Sequence, residues 1–316
     1  MKVFVAGATG VVGKRLVPLL VAEGHDVVGT TRSPEKADEL RAAGAEPVVA
    51  DALDETAVRD AVVDAKPEVV VHQATALSSL ASPRNVDRAF ELTNRLRTEG
   101  TDHLLAAARA AEARRFVAQS FAGWPYARVG GPVKTEEDPL DPDPPKHFRR
   151  TLAAIRHLEA AVTSAEGLEG IVLRYGGFYG PTTSLSPGGV HHEAIRRRRF
   201  PIVGGGTGVW SFAHIDDVAR ATLAATERGP SGLYNVVDDD PAPVSEWLPA
   251  VAEAIGAPPP RRVPTWLGRI AAGDAAVAMM TSVRGASNAK AKRELRWQPR
   301  WPSWRDGFRR GLVDQA

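Results

Sequence analysis

The stretch Lys2-Val3-Phe4-Val5-Ala6-Gly7-Ala8-Thr9-Gly10-Val11-Val12-Gly13 constrains the fold of this chain more than any other. A β-branched and aromatic run leads into glycines spaced G-x-x-G-x-x-G, and Leu16, Leu19 and Leu20 then fall on one face of a helix. Strand, glycine turn and helix in that order are the setting in which this spacing signals nucleotide binding. Gly7 takes the tight turn, Gly10 lets backbone N–H groups approach a pyrophosphate, and Gly13 lets the helix pack close to the strand. Thr9, Val11 and Val12 complete the cradle, and the helix N-terminus supplies partial positive charge where phosphates sit. The chain is expected to bind a dinucleotide.

Strand and helix alternate from there on. Strands are predicted at 25–30, 46–50, 68–72 and 115–119, with helices over 35–43 and 55–63 and a long helical pattern over 85–111. The strands are continuous apolar runs, as in a parallel sheet covered on both faces. Successive right-handed βαβ units give the fold class: α/β, a Rossmann-type doubly wound parallel sheet. Residues 121–146 are rich in Pro, Gly and acids and read as a long functional or mobile loop. A helix over 148–165 and a strand at 170–174 resume the pattern, after which short elements, glycine clusters and Pro258–Pro260 mark a smaller C-terminal cap. The expected division is a dinucleotide-binding domain over 1–173 with a returning segment 208–238, and a substrate cap from 174–207 and 239–316.

Bulk properties exclude several classes. At 43% hydrophobic and 25% charged, the chain is an ordinary globular protein. Forty basic against 38 acidic residues leave no charge surplus for a nucleic-acid partner. The absence of cysteine removes disulfides, thiol nucleophiles and cysteine zinc sites. No apolar run is long enough for a membrane, and a start directly on the first strand points to the cytoplasm. His191-His192-Glu193 does not converge on one ion, so no metal is expected. Arg196–Arg199 reads as a solvated face.

Cofactor choice is read at the end of the second strand. Thr30-Thr31-Arg32-Ser33 holds no carboxylate for a ribose 2′-hydroxyl, whereas Arg32, with hydroxyls at Thr31 and Ser33, suits a 2′-phosphate. NADP(H) is therefore favoured, with NAD the alternative. Asp51, followed by Ala52, is placed for the adenine, and Gln73, Ala74 and Thr75 for the middle of the cofactor.

At this point the chain resembles the extended short-chain dehydrogenase/reductases, in their NAD-dependent epimerase/dehydratase branch. The resemblance rests on Gly7-x-x-Gly10-x-x-Gly13, Asp51-Ala52-Leu53, Gly100-Thr101, Leu173-Arg174-Tyr175-x-x-x-Tyr179-Gly180-Pro181, His214-Ile215-Asp216-Asp217-Val218-Ala219, Gly232-Leu233-Tyr234-Asn235-Val236 and a closing Asn288 to Pro299 motif. It implies that Ser120, Tyr175 and Phe178 also border the cofactor. It implies a homodimer through two long helices, the second offering Leu152, Ile155 and Leu158 on one face. His214 and Asp216–Asp217 are expected to brace the cap.

The departures carry as much information. Members that oxidise or reduce an alcohol use Tyr-x-x-x-Lys, and none of the four tyrosines here has a lysine four residues later. Aligned by Glu159, those places are Thr151 and Ile155; Phe121 takes the catalytic Ser/Thr place and Arg97 the helix asparagine's. The residues matching the sugar-diphosphate contacts of nucleotide-sugar members are Gly177 and Trp210, which argues against such a substrate. Trp124, Trp210 and His191, with Tyr126, Phe178 and Tyr179, are expected to wall a pocket for an apolar or aromatic small molecule. Two classes follow: an NAD(P)-dependent oxidoreductase whose proton comes from Tyr126, Tyr179 or His147, and a non-catalytic NADP(H)-binding sensor or scaffold.

Overall fold

The computed structural model describes residues 1–77 and 86–314. Its centre is a sheet of β1 (Lys2–Ala6), β2 (Asp26–Thr31), β3 (Glu46–Val49), β4 (Val69–His72), β5 (Arg115–Phe121), β6 (Glu169–Tyr175) and β7 (Gly232–Val236). Its order among the described residues is β7-β6-β5-β4-β1-β2-β3, with every neighbouring pair parallel. The order reverses between β1 and β4, and that reversal opens a crevice beyond their carboxyl ends.

Strand periodicity divides the core between the two faces of the sheet. Val3 and Val5 point to one side with Leu16, Leu20, Val218 and Ala221; Phe4 and Ala6 point to the other with Val62, Leu104, Leu158 and Val162. Both faces are covered, which is why the strands carry unbroken apolar runs such as Val3–Ala6, Val69–Val71, Phe116–Ala118 and Ile171–Leu173. Full burial of a side chain such as Leu16 contributes about 1.5–3 kcal/mol. The Glu55–Ala65 helix starts where Asp54 accepts a hydrogen bond from the Ala57 N–H at 3.0 Å. It ends at Lys66 in the left-handed region, φ 48°.

A further core holds the C-terminal region together around Tyr179, Phe212, Trp247, Trp304 and Phe308. Phe212–His214 pairs in parallel with Gly177–Tyr179. As expected, the His214 segment is a brace. His214 donates through Nε2 to the Gly311 carbonyl at 2.9 Å and stacks on Trp301, while the Asp217 carboxylate accepts from the N–H groups of Arg300 and Trp301.

Three expectations are corrected. The long 85–111 helix is three helices, Val86–Ala89, Glu91–Arg97 and Glu99–Ala110; its predicted first residue, Asn85, lies outside the described residues. Thr98 interrupts it, with φ −100° and ψ −86° and a hydroxyl that donates back to the Asn94 carbonyl at 3.1 Å. The 121–146 segment is tied down: Val133–Lys134 pairs with Gly285–Ala286, and Arg128 meets Asp141 at 2.7 Å. Leu152, Ile155 and Leu158, offered above as a dimer face, are at most 1% exposed, facing their own chain's interior. The outer side of that helix is a polar groove with Asp87, Glu91, Arg95 and His157. Leu158→Ala is expected to cost about 2–5 kcal/mol in chemical denaturation and to leave the mass measured by light scattering unchanged; a change of oligomeric state would contradict this packing.

Candidate functional site

The glycine turn has the shape its spacing implies. Gly7 sits at φ 84°, and its N–H donates to the Thr30 hydroxyl at 3.1 Å. A Cβ at Gly13 would overlap the Ala8 carbonyl, and one at Gly10 would come within 3.2 Å of the Gly7 oxygen. The N–H groups of Val11 and Val12 have no acceptor among the described residues, and both precede the Gly13–Ala22 helix. Open donors at a helix N-terminus, beside glycines that admit close approach, fit a pyrophosphate.

The rest of the crevice follows the strand ends. Thr31 is buried and accepts from the Ser33 N–H at 3.1 Å and from Thr9 at 3.4 Å; this small turn holds Arg32 out into solvent. No ion pair among the described residues occupies Arg32. Asp51 accepts from the Leu53 N–H at 3.0 Å, and Ala52 lies buried behind it. Ala74 and Thr75 are half-buried beyond β4. Gln73 is buried, donating to the Tyr175 hydroxyl at 2.9 Å while its own Oε1 has no partner among the described residues.

His72 closes β4. Its Nε2 meets the Leu96 carbonyl at 3.1 Å and so carries the hydrogen, leaving Nδ1 to accept from the Ala74 N–H at 3.4 Å. Burial, with Arg97 nearby, pushes this imidazole down to about 4, so it is neutral at pH 7.

Under the floor of the crevice runs a buried polar chain. Arg174 on β6 donates from Nε and Nη2 to both oxygens of Glu159, at 2.8 and 2.6 Å. Ser120 on β5 donates to the same carboxylate at 2.7 Å. Arg174 also donates to the Tyr126 hydroxyl at 3.0 Å, which donates in turn to Asn235 Oδ1 on β7 at 2.6 Å. Removing Arg174 or Glu159 would leave the other charge buried and unpaired, at a cost of about 3–5 kcal/mol.

This chain decides the place of several predicted residues. Tyr126 is fully buried with its hydroxyl used both ways, so it is a strut and not an open acid. Burial is also the main effect raising it above the ordinary phenol range, outweighing Arg174. Ser120 is engaged by Glu159. Tyr175 turns its hydroxyl into the core, between Gln73 and Thr222, and burial pushes it up to about 12. Tyr179 lies inside the C-terminal core against Phe212, His214 and Phe308, its hydroxyl without a partner among the described residues and raised far above the usual range by burial. Phe178 is half-buried beside Tyr175. Thr151 is held by Asp87, to which its hydroxyl donates at 2.9 Å, and by Asn94, which donates to it at 3.1 Å.

The expected aromatic wall is two separate groups. Trp124 stacks on Phe148 at 4.6 Å and lies 6.4 Å from Phe121, at the end of β5. Trp210 instead packs on Trp247 and Phe212 in the C-terminal core, its indole N–H donating to the Met279 carbonyl. His191 shares a hydrogen bond with Ser184 at 2.8 Å and lies against Phe200. His147 is half-buried in the turn before the Arg149–Thr163 helix, adjacent in sequence to Phe148. The sequence reading missed Phe148 as Trp124's partner and treated Glu159 only as a marker; the ion pair with Arg174 was not visible without the register of β5 and β6.

The match to known proteins is decisive for the family. The model of the NAD dependent epimerase/dehydratase family matches residues 3–236. The chain belongs to that family. Among its relatives, the 3-diazoavenalumate denitrifying reductase of a Streptomyces species is 47% identical over 311 residues, 98% of this chain and 100% of that protein. A 4-hydroxy-2-methyl-3-oxo-4-farnesyl-3,4-dihydroquinoline-1-oxide ketoreductase of Stigmatella aurantiaca is 31% identical over 81% of this chain and 74% of its own. The UDP-glucose 4-epimerase of Thermus thermophilus, solved as a complex with NAD, superposes with a TM-score of 0.74 at 27% identity, covering 99% of this chain and 98% of that one. The Gly7–Gly13 turn lies within the residues that the family model matches. No helix among the described residues is long and apolar enough to cross a membrane.

The buried neutral His72 makes stability depend on pH. A group held below its unfolded value contributes stability that is complete above pH 6.5 and is lost as pH falls toward 4. Between pH 7.5 and pH 5 the protein is expected to lose about 2 kcal/mol more unfolding free energy than His72→Asn does. Identical losses in urea titrations would contradict a neutral, buried His72.

Proposed function

We propose that this protein is an NADP(H)-preferring reductase of a small aromatic molecule, with a diazo-bearing arene as its substrate class. One observation carries the reading: the family's acid/base places hold nothing able to move a proton near neutral pH. Thr151 is tied to Asp87 and Asn94, Ile155 is hydrocarbon in the core, and Phe121 is an aromatic wall. The phenols of Tyr126 and Tyr179 are enclosed. When bound, a reduced nicotinamide supplies a hydride, and an aryl diazonium accepting that hydride becomes the C–H arene and dinitrogen with no proton consumed. For such an acceptor, losing the Tyr-Lys pair costs nothing. The relative whose name specifies a diazo substrate and a denitrifying reduction supports the same class over nearly the whole chain.

Each residue's role follows from its position. The Gly7–Gly13 turn holds the pyrophosphate, Arg32 the 2′-phosphate, and Asp51 the adenine end. Trp124, Phe148 and Phe121 form the apolar wall on which an aromatic ring stacks. The buried chain from Ser120 to Asn235 fixes that wall against the strand ends.

Two measurements test this. With an ortho-diazoquinone as substrate, the protein is expected to consume one NADPH per dinitrogen released, and Tyr126→Phe and Tyr179→Phe to keep turnover within about threefold. A loss of two orders of magnitude in either variant would reinstate a tyrosine acid. NADPH binding with no diazo arene consumed would return the protein to a cofactor-binding scaffold. In calorimetry, Arg32→Ala is expected to weaken NADPH about 10- to 100-fold and NADH little; equal weakening would mean that Arg32 does not read the 2′-phosphate.

A further inference from the structure

Arg97 ends the Glu91–Arg97 helix with its side chain inside the protein. It is 5% exposed, and its Nε and Nη1 are buried without an acceptor among the described residues. The Phe90 ring lies 5.9 Å from its Cζ. The acid whose field reaches it is Glu159, but both oxygens of that carboxylate are already engaged by Arg174 and Ser120. His72, within its field at the end of β4, is neutral and brings no negative charge. Nor does Arg97 escape by losing its proton, since burial lowers it only to about 10. Two guanidiniums thus share one carboxylate beneath the ends of β4 and β5.

An unmatched cation out of water is among the most unfavourable arrangements a fold can hold. A leucine or methionine would fill the same helix position without that cost. The Glu91–Arg97 helix packs on the Arg149–Thr163 helix and is tied to the end of β4, where His72 Nε2 donates to the Leu96 carbonyl; ligands of this fold bind beyond those strand ends.

We infer that Arg97 anchors an anionic oxygen of the substrate, a carboxylate or a phenolate carried on the aromatic ring. This rests on the reading that the crevice takes a small aromatic molecule. The incoming oxygen supplies the negative charge missing from that part of the interior, through charge-assisted hydrogen bonds to a rigid, permanently charged group. The aromatic wall of Trp124 and Phe148 selects the ring, and Arg97 selects against neutral rings of the same shape.

Calorimetry on the NADPH-saturated protein tests this with benzoate, with 4-nitrophenolate at pH 8.5, and with neutral methyl benzoate. One of the two anions is expected to bind at least about tenfold tighter than the ester. Which of them does so identifies the group that Arg97 receives. Arg97→Gln removes that advantage while leaving NADPH affinity within about twofold, and Arg97→Lys keeps part of it. The melting temperature of the ligand-free protein rises in Arg97→Met, because the variant removes an unpaired charge. Anions that bind no tighter than the ester, or not at all, would overturn the inference. So would an equal loss of NADPH affinity, which would assign Arg97 to the cofactor, or a lower melting temperature, which would make it a structural strut. These readouts require no turnover, so a protein that binds the anion through Arg97 but leaves diazo arenes intact would sink the reductase reading alone.

Discussion

The Arg174–Glu159 ion pair is the interaction on which the site depends. It joins β6 to the Arg149–Thr163 helix from within the interior, and through Ser120, Tyr126 and Asn235 it reaches β5, the 121–146 segment and β7. A buried ion pair is weak evidence for net stability, because desolvation offsets most of the attraction. Its effect here is geometric. A carboxylate with all its partners in place fixes where the strand ends stop and where the Trp124–Phe148 wall stands.

That chain also accounts for the fate of the tyrosines. A phenol serves as an acid only when it reaches the reacting molecule and its proton is free to leave. Tyr126 meets neither condition, since its proton is committed to Asn235 and its oxygen to Arg174. Tyr179 is surrounded by Phe212, His214 and Phe308. On the proposed reading, with the phenols used as struts and Thr151 and Ile155 standing where relatives carry an acid and a base, the reaction asks no proton of these residues. That reading leaves it a cofactor cradle, an aromatic wall and the buried Arg97 as its tools. An acceptor that is already electron-poor and that carries its own leaving group needs no more.

How much of this was legible from the residues divides along one physical line. Local backbone demands were readable. The Gly7 turn, the closeness at Gly13, the continuous apolar strands and the bracing role of His214 and Asp217 all follow from short-range sterics and period-two burial. What failed depends on partners distant in sequence. Leu152, Ile155 and Leu158 form a stripe that serves equally for a dimer or for the chain's own sheet, and only the packing chose the sheet. Tyr175 is the last residue of β6, yet its hydroxyl turns into the core, a matter of strand parity set by register with β5 and β7. The break at Thr98 is the local exception: its hydroxyl donates back to the Asn94 and Arg95 carbonyls within a stretch whose apolar spacing runs unbroken. Arg97 stood out in sequence only as a departure; its meaning came from finding Glu159 already occupied.

The central claim is that reduction here proceeds without a protein proton donor. Single-turnover kinetics of the NADPH-loaded protein with an ortho-diazoquinone, compared in light and heavy water, test it most directly. The account predicts a solvent isotope effect near unity on NADPH oxidation. An effect of about two or more would place a proton in flight in the rate-limiting step and contradict it.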